Sequence, residues 1–147
     1  MIQRIQTLYL LGSAILIAFL FVFPFAEIAK DGVIYLFNFK GILLDGNLKQ
    51  NGTAISILIA SILALQGFAI MSYKNRNMQI RVIIFAILAI VGLFGMFFYF
   101  TCYSFSLAQI SFKISTAVPF IAIVLDYLAI RAIRKDEALI RSIDRIR

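Results

Sequence analysis

The chain has 147 residues, of which 63% are hydrophobic and only 14% are charged, and its formal net charge is +7. Soluble domains contain about half apolar and about a quarter charged residues, so this composition is typical of a membrane protein. A single domain is expected because no part of the chain resembles a soluble module or a long linker. Histidine is absent and Cys102 is the single cysteine. These counts exclude a disulfide framework, a paired-cysteine redox motif and nearly every kind of zinc site.

Four apolar runs are long enough to cross a bilayer, and they cover residues 7–26, 54–71, 82–100 and 114–133. A helix needs about 20 apolar residues to cross about 30 Å of hydrocarbon, and a lipid-exposed backbone must satisfy its own hydrogen bonds. The sequence therefore predicts an all-α membrane protein, a single domain built as a bundle of four transmembrane helices.

The loop of residues 27–53 is the only sizeable segment outside the predicted spans on its side of the membrane. It is rich in β-branched and aromatic residues, and Asp31-Gly32 and Asp45-Gly46 are turn signals. We predict two short β-strands lying over the helix ends, with an irregular hydrophobic flap as the alternative. The second loop on this side, near residues 104–113, shows no evident motif.

Lysine and arginine are distributed unequally between the two sides of the predicted bundle. Four lie on the side of the long loop: Lys30, Lys40, Lys49 and Lys113. Ten lie on the other side: Arg4, Lys74, Arg76, Arg81, Arg131, Arg134, Lys135, Arg141, Arg145 and Arg147. Because basic residues are retained on the cytoplasmic side, both termini are predicted to be cytoplasmic. The same clustering at the ends of apolar runs favours orientation in a membrane over nucleic-acid binding.

Small residues recur at helical spacing in two of the spans. Ala60, Ala64 and Gly67 form one stripe on the second span, and the third span carries Ala86, Ala89, Gly92 and Gly95. Such stripes let helix backbones approach closely in a bilayer. We expect them to pack inside the bundle, and the alternative is an interface between copies of the chain.

No arrangement of residues typical of an enzyme is present. Without histidine there is no Ser-His or Cys-His pair, and the chain lacks a phosphate-binding glycine loop. We therefore predict a protein that is not an enzyme, with no catalytic residues, no cofactor and no metal site.

Two polar side chains lie inside the predicted spans, and we expect them to meet. Asp126 lies about six residues from the cytoplasmic end of the fourth span, or about 9 Å inside it, and Gln66 lies at a comparable depth in the second. A charged aspartate in hydrocarbon costs about 2.5–3.5 kcal/mol, so Asp126 needs a partner. Arg4 and Arg81, at the inner ends of other spans, are the expected cations. This cluster is interpreted as a structural clamp, with a proton or substrate site as the alternative.

The final segment, residues 134–147, is predicted to continue the fourth helix into the cytoplasm. Its apolar positions repeat every three or four residues and are interrupted by Asp136. Five basic residues are candidates for contact with lipid or with a protein partner: Arg134, Lys135, Arg141, Arg145 and Arg147. A helix lying on anionic lipid and a helix docking a cytoplasmic protein fit this pattern equally.

The two ends of the chain resemble a known family. The opening MIQRIQTLYL and the closing DEALIRSIDRIR are similar to those of a small family of four-span inner-membrane proteins from Bacteroidetes-type bacteria. The resemblance implies a multi-pass protein of a bacterial cytoplasmic membrane, and it supplies no catalytic residue.

The resulting hypothesis is a non-enzymatic integral membrane protein, an accessory or scaffold subunit that docks a partner through its cytoplasmic tail. The alternative is a small oligomeric transporter that couples to protons through Asp126. A third interpretation is a sensor whose outer loop responds to the cell envelope. A homo-oligomer is compatible with all three.

Overall fold

The computed structural model describes residues 3–30, 32–44, 46–103 and 109–144, and it combines four helices with one antiparallel sheet. The helices are α1 (Gln3–Phe19), α2 (Thr53–Met71), α3 (Arg76–Phe98) and α4 (Val118–Asp144). The strands are β1 (Ala26–Lys30), β2 (Val33–Asn38), β3 (Gly41–Leu44), β4 (Asn47–Asn51) and β5 (Gln109–Phe112). A π-helical turn, Tyr99–Tyr103, extends α3, and a short 3₁₀ segment, Ile114–Ala117, leads into α4.

Three helical stretches in the described part of the chain are long and apolar enough to cross a membrane. They are Thr53–Met71, Arg76–Thr101 and Ile114–Ile140, and the apolar part of α1, Ile5–Phe19, is shorter. The predicted first span, residues 7–26, extended too far toward the sheet. The α-helix ends at Phe19 and turn hydrogen bonds continue as far as Phe23. They stop before Pro24, which has no backbone N–H and disfavours helical geometry in the preceding residue.

Each helix packs mainly against two others: α1 lies against α2 and α4, and α3 lies against the same two. Their interior holds two hydrophobic clusters. One, near the sheet, includes Ile17, Ile62, Ile90 and Ala122. The other, toward the opposite end, includes Leu10, Ala69, Ile83 and Ala129. On every helix the buried position between these two clusters is taken by a polar or small residue: Ser13, Gln66, Ala86 and Asp126.

The small-residue stripe of α2 does not lie inside the helical packing, contrary to our expectation. Ala60, Ala64 and Gly67 are all exposed, and a Cβ added to Gly67 would meet no atom within 4 Å. The inward face of α2 is instead filled by larger side chains: Ile55, Ile59, Ile62 and Gln66, followed by Ala69. On α3 the stripe divides, since Ala86 is buried and Gly92 and Gly95 are exposed.

The sheet is larger than the two strands predicted from the sequence. Its strand order is β4-β3-β2-β1-β5, all neighbours being antiparallel. Strands β1 to β4 form a meander within the first loop, and β5 comes from the second loop to pair with β1. Gly32 and Gly46 adopt positive φ at the turns that the two Asp-Gly pairs predicted, although Asp31 and Asp45 themselves lie outside the described residues.

Phenylalanine side chains join this sheet to the end of α3. The Phe25 ring lies 4.5 Å from the Phe97 ring, and the Phe37 ring lies 5.6 Å from the Phe100 ring, measured between centroids. All four rings are buried in the cluster near the sheet. The sheet therefore packs directly on one end of the helices, and the opposite end carries the basic starts of α1 and α3 and the basic part of α4.

Candidate functional site

A buried polar cluster, formed by Ser13, Gln66 and Asp126, lies between the two hydrophobic clusters. The three side chains come from α1, α2 and α4 and are at most 1% exposed. Each occupies a position in its helix where the spacing of buried residues calls for an inward side chain, as in Leu10, Ser13 and Ile17 on α1. The same periodicity that builds the core therefore directs these polar groups into it.

Hydrogen bonds connect all three helices within this polar cluster. Nε2 of Gln66 donates to Oγ of Ser13 at 2.7 Å and to Oδ2 of Asp126 at 3.3 Å. Oγ of Ser13 donates to the backbone carbonyl of Ala122 at 3.2 Å, one turn before Asp126 on α4. The pairing of Asp126 with Gln66 is the one that the sequence led us to expect, and Ser13 is an additional member.

Two oxygens of the polar cluster have no hydrogen-bond partner among the described residues. They are Oε1 of Gln66 and Oδ1 of Asp126, and both are buried. An unsatisfied buried polar group costs about 1–3 kcal/mol, so two on adjacent side chains mark a site whose complement of hydrogen bonds is incomplete.

The cations predicted for Asp126 are not found beside it in the described part of the structure. Arg81 is exposed, and it lines a groove between α3 and α4 together with Arg134. No ion pair joins Arg81 to Asp126, because Arg81 stands on the outer side of α3. The side chain of Arg4 lies outside the described residues.

A second buried contact joins α1 to α4 nearer their basic ends. Nε2 of Gln6 donates to Oδ2 of Asp136, and both residues are at least 93% buried. Sequence reasoning placed Asp136 in the tail and did not consider Gln6. The periodicity held the signal, since Gln6 lies four residues before Leu10 and seven before Ser13 on the buried face of α1.

Basic side chains line two grooves on either side of α4. The groove between α3 and α4 has a volume of about 590 Å³ and is lined by Asn77, Ile80, Arg81, Arg134, Glu137 and Ala138. The groove between α1 and α4 has a volume of about 550 Å³, and its lining includes Tyr9, Arg131, Lys135 and Leu139. Of the predicted tail residues, Arg134 and Lys135 are thus placed at grooves. Arg145 and Arg147, and the side chain of Arg141, lie outside the described residues.

Comparison with known proteins gives a family without a function. A family model described as "Domain of unknown function (DUF4293)" matches residues 2–146. No curated protein and no solved structure matches the chain. Any role must therefore be argued from the arrangement of its own residues.

Proposed function

We propose that the chain, which belongs to the DUF4293 family, is a non-enzymatic integral membrane protein that acts as an accessory or scaffold subunit. In this proposal its four helices all cross a bacterial cytoplasmic membrane, and the end of α4 docks a partner in the cytoplasm. The observation that carries the proposal is the continuity of α4: one helix of 27 residues, Val118–Asp144, contains both the buried Asp126 and the exposed basic residues Arg134 and Lys135.

The exposed surface of the helices supports their place in a bilayer. Large apolar side chains cover it, among them Ile57, Phe85, Leu88, Phe98 and Phe120, each at least 60% exposed. At 1.5 Å per residue the 17 residues of α1 extend about 26 Å, close to the hydrocarbon thickness of about 30 Å. With α1 as a fourth span, both termini lie on the same side.

The distribution of charge supports a cytoplasmic location for that side. Arg81, Arg131, Arg134 and Lys135 flank the helices at the end opposite the sheet, and basic residues are retained in the cytoplasm. Guanidinium groups in these grooves are also suited to the phosphates of anionic lipids at the bilayer surface.

The last described turns of α4 have the chemistry of a docking helix. Leu139 and Ile140 lie beyond the segment that the hydrophobic clusters enclose. They are apolar, and each is nevertheless 46% exposed. Basic residues flank this apolar pair in the sequence, and the helix is fastened to α1 through Asp136 and Gln6. A rigid helix that combines apolar and basic side chains suits a partner with an acidic rim around an apolar groove.

Site-specific photo-crosslinking in native membranes tests this proposal. A photoreactive phenylalanine at Ile140 should form one discrete protein adduct, and Arg134→Glu should diminish that adduct. The same probe at Phe85, which is 62% exposed on the lipid-facing part of α3, is the matched control and should give lipid adducts only. Lipid adducts alone at both positions would contradict docking and indicate that the end of α4 lies on the bilayer.

A second candidate function is proton-coupled transport through Asp126. The observation in its favour is the unpartnered Oδ1 of this carboxyl group inside the helices. Uptake measurements in proteoliposomes at two external pH values test it. A pH-dependent flux that Asp126→Asn abolishes would establish transport and displace the scaffold proposal.

A further inference from the structure

We infer that Asp126 holds a proton on Oδ1 and donates it to Oε1 of Gln66, so that the acid and the amide pair through two hydrogen bonds. The polar cluster is then a proton-binding site and carries no net charge. This inference concerns the occupant of the cluster and does not depend on whether the chain docks a partner or transports a solute.

The orientation of the Gln66 amide is fixed by Ser13. The Ser13 hydroxyl has a single hydrogen, which it donates to the carbonyl of Ala122. Its oxygen must therefore accept from the neighbouring amide, so the atom of Gln66 at 2.7 Å is the nitrogen. The second N–H of the same nitrogen is directed to Oδ2 of Asp126 at 3.3 Å.

With both amide hydrogens assigned, two oxygens of the polar cluster still lack a hydrogen-bond donor. Oε1 of Gln66 and Oδ1 of Asp126 are both acceptors when the carboxyl group is ionised, and both are buried without a partner. One proton on Oδ1 converts an acceptor into a donor and gives partners to both oxygens at once.

The surroundings favour the neutral acid because they offer no charge to balance a carboxylate. Facing Asp126 are Ser13 from α1 and Gln66 from α2, both neutral. The inward residues of α3 at this level are Ile83, Ala86 and Ile90. On α4 itself the nearest charged residue is Arg131, which is exposed. Among the described side chains none that faces Asp126 carries a charge, and a bare buried charge is costly.

The rival occupant is a monovalent cation such as sodium or potassium, coordinated by the same two oxygens. Such an ion would require an ionised Asp126, since carboxylate and amide oxygens are its ligands. A bound proton requires a neutral Asp126, whereas a bound cation requires an ionised one. Only the cation would make the Tm depend on which salt is present, so the two can be separated experimentally.

Infrared difference spectroscopy of the purified full-length chain tests the inference. At neutral pH the wild-type minus Asp126→Asn spectrum should contain the C=O stretch of a protonated carboxylic acid. The matched control is Glu27→Gln, whose carboxylate is 38% exposed and pairs with Lys113 at 2.8 Å, and its difference spectrum should lack that band. A wild-type spectrum with a carboxylate band in place of the acid band at Asp126 would overturn the inference.

Thermal unfolding provides a second measurement that does not depend on band assignment. Asp126→Asn can form the same two hydrogen bonds, since its amide donates to Oε1 and accepts from Nε2, so its Tm should stay within a few degrees of wild type. The wild-type Tm should be equal in sodium, potassium and choline chloride at one ionic strength. A rise with sodium or potassium that Asp126→Asn lacks would assign the site to a cation instead.

Discussion

Asp136 on α4 accepts a hydrogen bond from the side-chain amide of Gln6 on α1, with both groups buried. The same two helices are joined one level deeper, where Ser13 donates to the carbonyl of Ala122. Helix α4 is thus fastened to α1 at two depths, about two turns apart along α1 and about four turns apart along α4. The packed part of the molecule consequently extends past residue 133, where the predicted fourth span ended.

This contact predicts where the chain can be shortened. Truncation after Ile140 should leave Tm in detergent close to that of the full chain. Truncation after Arg134 removes Asp136 and leaves the Gln6 amide buried without its partner, at a cost of about 1–3 kcal/mol. Its Tm should therefore fall by several degrees. Equal Tm values for the two truncations would show that the Gln6–Asp136 contact is not part of the stable structure.

The proposed topology predicts which positions are accessible from outside the cell. In a Cys102→Ala background, a cysteine at Asn47, exposed on β4, should react with a membrane-impermeant thiol reagent in intact cells. A cysteine at Ala138, exposed on α4, should react only after the membrane is permeabilised. Labelling of the Ala138 position in intact cells would reverse or refute the orientation.

The junction between the sheet and α3 predicts unequal effects of two neighbouring substitutions. Phe97 is 3% exposed and lies against Phe25, whereas Phe98 is 69% exposed. Phe97→Ala should destabilise the chain by about 3–5 kcal/mol because it leaves a cavity among the rings. Phe98→Ala should change stability little. Similar losses for both variants, measured as unfolding in denaturant, would contradict the observed packing.

The surroundings of two glycines, Gly52 in the first loop and Gly67 on α2, predict a similar contrast between two substitutions. A Cβ on Gly52 would lie 2.6 Å from backbone atoms of Gly41, a contact that the closely apposed strands cannot relieve without moving. Gly52→Ala should therefore lower Tm and weaken sheet formation. Gly67→Ala introduces a methyl group into open space on α2 and should be tolerated. A Gly52→Ala variant as stable as the wild type would argue against this arrangement of β3 and the start of α2.

Elements that depend on neighbouring residues could be predicted from the sequence, whereas elements that depend on distant partners could not. The length of the apolar runs located the apolar helices, and depth along them brought Asp126 and Gln66 to one level. Strand β4 was not predicted because four of its five residues, Asn47–Asn51, are polar and acquire strand geometry only by pairing with β3. Strand β5 was not predicted because its partner, β1, is about 80 residues away in the chain.

The polar contacts of α1 were missed for a related reason. Ser13 and Gln6 are uncharged, and although helical spacing places them on the face of α1 that carries Leu10, nothing near them in the sequence identifies their partners. Their role depends on Ala122 and Asp136 of α4, which reach them only after the helices pack. The expectation that Arg81 would neutralise Asp126 failed because Arg81 is exposed, and the same expectation for Arg4 stays a prediction because its side chain lies outside the described residues.

The central claim is that Asp126 holds the helices together as a neutral group, and a pair of substitutions tests it most directly. Tm in detergent and complementation of a deletion strain should be measured for Asp126→Asn and Asp126→Leu. Asp126→Asn should retain both, because its amide preserves the pairing with Gln66. Asp126→Leu should lower Tm, because it leaves the Gln66 amide with one partner fewer. An Asp126→Asn protein that is fully stable but inactive in complementation would identify Asp126 as a functional proton site. A Tm for Asp126→Asn as low as that of Asp126→Leu would contradict the claim.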